Sequence, residues 1–576
     1  MNIRTSVSKT SRETGSRQRE RSEIRARYDL VIIGGGISGA TLLWDAALRG
    51  VPALLLEKND YASGTSQATS KLIHGGLRYL KNGELRLVRE SLRERRVLAT
   101  IAPHAVRPEP FLYPIYRTSK VGRFMMGVAL RVYDLLGFDR NRGLSPELKL
   151  PRARFLNRKQ TIQAEPGIHT DGLIGAYIYY DYANVNPERL CAEFILSARQ
   201  RGAHARNYSP VEKVRREPNG LYRITIRDSA TGRLHTTLAR TVVNAAGPWA
   251  DYLDRKVTGR IEKNLIRSKG IHLVTRQINR EHTVVLFRPD GTHMFIIPWR
   301  GKSILGTTDT QFHQHPDRMR VTEADARAVI ADVNRMYPAA RLSIEDVEYF
   351  YGGLRPLVED GAASGTYNAS RKQEILDHAE SGYPGFYTVI GGKYTTSRLL
   401  AEKTMDLVSR YLPGKFGPCR TDREPLPAGN FRNQDELIAR LKHEFPELPE
   451  EPIRTLSDRY GANARMILVN MRPGPKHRNN SVESQNAWQL KNGETYYPEE
   501  IDYVIQREDI HTIEDLYFRR AGLGTIGPVP EGLNKLIVHR MGLLCGWTRK
   551  QMQWARQSIR NRYQLAPARW ISLDRP

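Results

Sequence analysis

Residues 28–60 read YDLVIIGGGISGATLLWDAALRGVPALLLEKND, and the order of residue types in this stretch decides the fold. The apolar run at 30–33 predicts a buried strand, and three consecutive glycines end it. "ISGATLLWDAALRG" then carries apolar residues at helical spacing and stops on a glycine, and "VPALLLEKND" predicts a second strand. Strand, glycine turn, helix and strand make a βαβ unit. Within it Gly34, Gly36 and Gly39 form G-x-G-x-x-G. In such a unit the first glycine permits the tight turn, the second lets backbone approach a pyrophosphate, and the third packs helix against sheet. Glu57 closes the second strand, where an acid accepts hydrogen bonds from an adenosine ribose. The stretch is therefore read as a dinucleotide site, with NAD and FAD both open at this point.

Further along, "LYRITIRD", "RTVVNAAG", "GIHLVTR", "THMFIIPWR", "KSILGTTD" and "FYTVIGG" are strand-like and alternate with polar turns, not with regular helices. They predict a second, more antiparallel sheet, with a hairpin turning at "RGK", residues 300–302. A Pro- and Gly-rich linker, "LPGKFGPCRTDREPLPAGNF", leads into segments with helical spacing, among them "DELIARLKHEF", "EEPIRTLSDRYG", "PEEIDYVIQRE" and "TIEDLYFRRAG". The predicted organisation is a tail over 1–27, interleaved nucleotide and substrate domains over 28–425, and a helical domain over 426–576.

The 576 residues carry 89 Lys plus Arg against 62 Asp plus Glu, a formal charge of +27 that attracts phosphates, nucleic acid or anionic lipid alike. No nucleic-acid motif accompanies the charge. Only Cys191, Cys419 and Cys545 are present, without pairing pattern or metal-ligand spacing, which implies a reducing compartment and no metal site. The longest uncharged run, residues 30–44, is too short to span a bilayer. Residues 1–27 lack the apolar core of a secretory signal and read as a solvated, disordered extension.

Five segments, "GTSQATSKLIHGGLRYL" at 64–80, "VVNAAGPWAD" at 242–251, "ILGTTDT" at 304–310, "YGGLRPL" at 351–357 and "VIGGKYTTSR" at 389–398, resemble in order and spacing the FAD-dependent glycerol-3-phosphate dehydrogenases of the respiratory type. "YYPEEIDYVIQREDIHTIEDLYFRR" is similar to the last domain of that family. The resemblance implies an α/β fold: a glutathione-reductase-like FAD-binding Rossmann domain, a mixed-sheet substrate domain and a C-terminal all-helical domain. It further implies oxidation of sn-glycerol 3-phosphate to dihydroxyacetone phosphate, with electrons leaving FAD for a membrane quinone. The enzyme would then be cytoplasmic, peripherally bound to an anionic membrane surface and without a nucleic-acid partner, with monomer and homodimer both open. An oxidase passing electrons to oxygen, an amine or amino-acid oxidase, or a basic binding protein on a flavin-type scaffold are the alternatives.

By the same resemblance Thr65, Ser66, Ser70, Lys71 and Leu72 contact the flavin, as do Gly391, Gly392, Lys393, Tyr394 and Thr395 at a helix N-terminus. Arg78, Tyr79, Arg355, Arg371 and Lys393 are the expected substrate ligands, since a buried phosphate dianion requires cations or strong donors. Phosphate and glycerol hydroxyls are both open to each of them. His272 is read as the base that takes the C2 hydroxyl proton and Arg355 as the stabiliser of the developing alkoxide; a hydrogen-bonded core histidine is the alternative. The stripe Phe124, Met125, Val128, Val132, Leu135 and Leu136 is expected to pack in the core, the alternative being an interfacial helix.

Overall fold

The strand Arg27–Ile33 is apolar on both faces because it lies inside a sheet, parallel to Leu234–Asn244 on one side and to Ala53–Leu56 on the other. The structure, a computed structural model, describes residues 23–358, 373–472 and 487–566. Within these the first sheet runs in the order Glu374–Asp377, Phe386–Ile390, Leu234–Asn244, Arg27–Ile33, Ala53–Leu56, His204–Arg206, and Val211–Arg216 and Tyr222–Arg227 extend it as a hairpin. Helices Ile37–Arg49, Pro187–Gln200 and Ser397–Tyr411 bury Leu42, Trp44, Phe194, Leu400 and Met405 in one core against the sheet. Tyr222, Ile224 and Ile226 of the hairpin join Val31 and Leu54 in a second core.

The second sheet has ten strands among the described residues and is almost wholly antiparallel; Thr283–Phe287 beside Val106–Tyr116 is a parallel pair. Its long strand Leu265–Arg276 pairs with Val347–Val358 and with Lys302–Gly306. This places "GIHLV", "GGLRPL" and "ILGTTDT" side by side. The expected hairpin is present: His293–Trp299 turns into Lys302–Gly306 through Arg300 and Gly301, with φ of 50° and 74°. Two positive φ values match the right-handed twist of the flanking strands.

Beyond the linker the chain is helical, with Gln434–Glu444, Glu450–Tyr460, Ala464–Met471, Pro498–Arg507, Glu531–Cys545 and Arg549–Arg562, plus one two-residue strand pair. Glu531–Cys545 escapes a periodicity reading because apolar residues surround it: Ile537 and Val538 are buried while Leu536 and Leu543 are exposed. "TIEDLYFRRAG" is helical but wider than an α-helix. Asp515–Arg520 is a π-helical turn in which the Ala521 N–H reaches the Leu516 carbonyl, five residues back, at 2.9 Å. Buried ion pairs fasten this domain to the nucleotide domain, Asp60 to Arg519 and Arg520, and Arg189 to Glu508.

One expectation is overturned. The helix Arg123–Leu136 packs inward through Met126, Leu130 and Tyr133, while Phe124, Met125 and Leu135 are 83%, 61% and 72% exposed and Phe138 beyond it is 75% exposed. Apolar residues occupy more of this helix than one core-facing stripe can bury, and the face with i, i+4, i+7 spacing is the one that packs.

Candidate active site

The nucleotide cradle is shaped by what a side chain would strike. A Cβ on Gly39 would lie 1.9 Å from the Gly34 carbonyl oxygen, and one on Gly34, at φ +118°, would lie 2.5 Å from the Ala245 carbonyl oxygen. Helix, turn and the adjoining strand end therefore approach as closely as backbone allows. Gly36 precedes the helix Ile37–Arg49, offers no side chain to cap it, and no acid occupies the first turn. The helix N-terminus is thus left to attract an external anion. Ser66 Oγ accepts the Ile37 N–H at 2.9 Å and fixes the flavin segment to this helix start. Glu57 accepts from the Gly35 N–H at 2.7 Å and the Asn59 N–H at 2.8 Å; burial raises its pKa while these donors pull it down. The cradle and acid fit a dinucleotide with a ribose diol and a pyrophosphate.

A second glycine turn faces the site. Gly391 and Gly392 adopt φ of 69° and 94°, then Tyr394–Thr396 and Ser397–Tyr411 continue as a helical run. Thr395 is buried at its start, and the Tyr394 hydroxyl donates to the Pro187 carbonyl at 2.6 Å. A glycine turn thus leads directly into a helix N-terminus.

His272 sits on Leu265–Arg276, buried, with its ring stacked on Tyr351 at 4.9 Å and 15°. Nε2 lies 2.9 Å from Ser70 Oγ, and Nδ1 has no hydrogen-bond partner among the described residues. Burial, then the Arg355 and Lys71 cations, hold its pKa well below that of free imidazole, so it is neutral at neutral pH. Arg355 crosses from the next strand. Its guanidinium donates to Ser268 Oγ at 3.0 Å, to the Thr308 carbonyl at 3.1 Å and to Thr307 Oγ1 at 2.7 Å. It lies over Gly270, where a Cβ would come within 2.2 Å of Nη2. The Thr65 hydroxyl donates to the Leu354 carbonyl at 2.6 Å, and a Cβ on Gly353 would meet Ala68 Cβ at 2.6 Å. These contacts explain Gly353 of "YGGLRPL" and join the segment 64–80 to the Arg355 strand.

At the far end of the same segment a second cluster forms. Arg78 Nη2 donates to the Tyr79 hydroxyl at 3.1 Å, and Lys393 Nζ lies 3.9 Å above the buried Tyr79 ring and donates to Ser91 Oγ at 3.0 Å. Gly76, at φ +78°, makes the turn that brings them together, since a Cβ there would strike Tyr79 and Lys393 Nζ. Lys71 is turned elsewhere. It adopts φ 56° and its ammonium forms a buried ion pair with Glu188, with the Tyr351 ring 5.2 Å away. Leu72 pairs with Ala183 and packs in the substrate-domain core. Arg371 lies outside the described residues.

Sequence reasoning did not single out Ser268, Thr307 and Thr308, which aim Arg355, or Glu188, which neutralises Lys71. Thr307 and Thr308 stand inside the quoted "ILGTTDT", so the segment carried the signal although the individual roles did not.

Residues 29–407 match the FAD dependent oxidoreductase family, and residues 419–552 match the C-terminal domain of alpha-glycerophosphate oxidase. The chain is 35% identical over 506 residues to the aerobic glycerol-3-phosphate dehydrogenase of Bacillus subtilis, covering 86% of this chain and 87% of the relative. It is 34% identical to the glycerol-3-phosphate dehydrogenase of Synechocystis, over 91% and 94% of the two chains. The crystal structure of the glycerol-3-phosphate dehydrogenase from Bacillus halodurans complexed with FAD superposes with a TM-score of 0.71 at 27% identity, covering 96% of this chain and 98% of that one. With a family match over most of its length and relatives above 30% identity across it, the chain belongs to the FAD-dependent glycerol-3-phosphate dehydrogenase family.

Proposed function

We propose that the protein oxidises sn-glycerol 3-phosphate to dihydroxyacetone phosphate and delivers the electrons to a quinone at an anionic membrane surface. One observation carries the first part: the segment 64–80 meets a buried neutral histidine, with an arginine nearby, through Ser70 at one end, and gathers Arg78 and Lys393 on the Tyr79 ring at the other. A substrate with a secondary alcohol next to a phosphate ester needs both. FAD, when bound, supplies the acceptor for the hydride leaving C2.

The chain's own groups do the rest. Arg78 and Lys393 bind the phosphate, with the Tyr79 ring excluding water behind them. His272, uncharged, takes the hydroxyl proton as the hydride departs. Arg355, held by Ser268, Thr307 and Thr308, stabilises the negative charge that develops on the C2 oxygen. The substrate thus loses one hydride, which carries two electrons and a proton, and one further proton from the hydroxyl to His272, so the alcohol becomes a ketone. Anaerobic glycerol 3-phosphate should bleach the yellow holoenzyme and yield one dihydroxyacetone phosphate per flavin. Intact bound FAD that fails to bleach would sink the reading.

The exposed helix Arg123–Leu136 supports the membrane part. Phe124, Met125, Val128, Leu135 and Phe138 face outward, and Lys120, Arg123 and Arg131 are exposed around them. No helix among the described residues is long and apolar enough to cross a bilayer. An apolar face rimmed by cations suits insertion to the depth of the lipid headgroups. Active enzyme should pellet with anionic liposomes, and Phe124→Ser with Leu135→Ser should abolish pelleting while leaving flavin bleaching intact. Wild-type enzyme that stays in the supernatant at low salt would remove the membrane step.

A further inference from the structure

The π-helical turn Asp515–Arg520 lies in the C-terminal domain, yet it reaches both halves of the site. Phe518, Arg519 and Arg520 are consecutive and all buried. Phe518 stacks on Tyr349 at 5.4 Å and 11°, Tyr349 lies 5.8 Å from Tyr351, and Tyr351 stacks on His272. The Tyr351 hydroxyl also donates to the Thr69 carbonyl at 3.1 Å, beside Ser70. This is an unbroken row of aromatic rings from the C-terminal domain to the imidazole.

The two arginines serve the other half. Arg519 Nε donates to Asp60 Oδ2 at 2.6 Å, and Arg520 donates to the two oxygens of the same carboxylate at 3.0 and 2.8 Å. Asp60 follows Glu57 by three residues and leads into Tyr61 and Ala62. The Ala62 N–H donates to the Gly35 carbonyl at 2.9 Å, and a Cβ on Gly35 would meet Glu57 and Tyr61 at 2.8 and 3.0 Å. Gly35 is thus clasped between the ribose acid and a loop that the C-terminal arginines hold. Burying these charges is expensive, and an apolar contact would join the two domains as firmly. What the ions add is direction. They fix one carboxylate, and with it one loop, in a single geometry. A π turn admits an extra residue per turn and is found disproportionately at functional sites.

We infer that the turn Asp515–Arg520 is a positioning element through which the C-terminal domain holds the cofactor cradle by Arg519 and Arg520 and the base by Phe518. The inference rests on the function proposed above. It gives the C-terminal domain a part in the reaction that Phe518, Arg519 and Arg520 perform through Tyr349, Tyr351 and Asp60.

The two arms separate experimentally. Arg519→Gln should release FAD from the holoenzyme about tenfold faster, read as recovery of flavin fluorescence on dilution, because a desolvated pair loses one partner. Arg519→Lys, which keeps the charge, should recover most of the difference and carries this arm if the Gln variant does not fold. Phe518→Leu should leave FAD release unchanged and slow anaerobic bleaching by glycerol 3-phosphate about tenfold, since the Tyr351 stack loosens around the imidazole. It should also raise the pH below which bleaching fails, because water admitted beside His272 weakens the burial that keeps it neutral. The charged groups facing that ring are Arg355 and Lys71, with Ser70 and Tyr351 as its neutral neighbours, and Phe518→Leu alters none of them. Phe518→Tyr should restore both rate and pH profile. Equal loss of FAD and bleaching in both variants, tracking only their melting temperatures, would overturn the inference. So would wild-type behaviour in both. A wild-type holoenzyme that never bleaches with glycerol 3-phosphate defeats the substrate reading instead, and FAD release from the arginine variants still decides the cradle arm.

Discussion

The two ends of the segment 64–80 are built on opposite principles. Around Ser70 and His272 the surroundings are buried and aromatic, and the cations nearby are occupied: Lys71 by Glu188, Arg355 by two hydroxyls and a carbonyl. Around Tyr79 two cations, Arg78 and Lys393, gather on one ring. Under the proposed function, the difference teaches how one site would remove a proton and bind a dianion. A phosphate beside the imidazole would stabilise its protonated form, and a base that is already protonated cannot act. On the proposed function, separating the two along a turning segment would leave the histidine neutral while the phosphate is bound.

The largest effect should come from breaking the neutral end. His272→Asn keeps a polar side chain but no proton acceptor, and kcat should fall about 10²- to 10⁴-fold with KM nearly unchanged. The pH profile sharpens the test. Only the uncharged imidazole can accept a proton, and burial, with Arg355 and Lys71, depresses its pKa below 6.5. The protonated fraction therefore grows only in more acid solution, and wild-type kcat at saturating substrate should stay level through pH 6.5 and fall below it. His272→Asn should lack that acidic limb. Near-normal turnover across the whole range would remove the histidine from the chemistry.

Breaking the cationic end should look different. If Lys393 is the phosphate donor proposed above, Lys393→Met removes a charge-assisted hydrogen bond of about 1.5–3 kcal/mol, so KM should rise about 10- to 100-fold. Because the phosphate does not change during the reaction, kcat should move far less. Initial rates across substrate concentration would separate the two parameters. A kcat loss as large as that of His272→Asn would mean that the two ends are not distinct.

How much of this was legible in the sequence follows from what kind of constraint each part obeys. Gly34 and Gly39 are readable because backbone contact admits no other residue type, and Gly76, Gly391 and Gly392 because each turns at a positive φ that favours glycine. The strand-like pattern placed "GIHLV" in a sheet and the family resemblance singled out "GGLRPL", but neither showed that they are neighbours in register, His272 opposite Tyr351 and Ser268 opposite Arg355. Pairing over such separations has no local mark. Lys71 and Glu188 are 117 residues apart, and nothing near either announces the other. Periodicity identified the helix Arg123–Leu136 as amphipathic but could not say which face turns inward, because both Met126 with Leu130 and Phe124 with Val128 are apolar pairs at i, i+4. The π turn was invisible because its sequence satisfies an ordinary helical pattern. Only the hydrogen bond from Ala521 to Leu516 distinguishes it.

The smallest expected effect tests where the boundary between the two ends falls. Ser70 joins the flavin segment to His272 Nε2, so it belongs by geometry to the neutral end although Arg78 is only eight positions away in sequence. In Ser70→Ala the ring stays stacked on Tyr351, and only one neutral hydrogen bond, about 0.5–1.5 kcal/mol, is removed. That corresponds to a loss of about two- to tenfold in kcat, with KM unchanged. The hydroxyl does not charge the imidazole and the cations facing it remain, so the acidic limb should stay below 6.5. Were KM to rise while kcat held, Ser70 would be a substrate ligand and the cationic end would extend back along the loop to His272. The separation of base from anion would then have to be made by Arg355 and its hydroxyl cradle, and Ser268→Ala would become the informative variant.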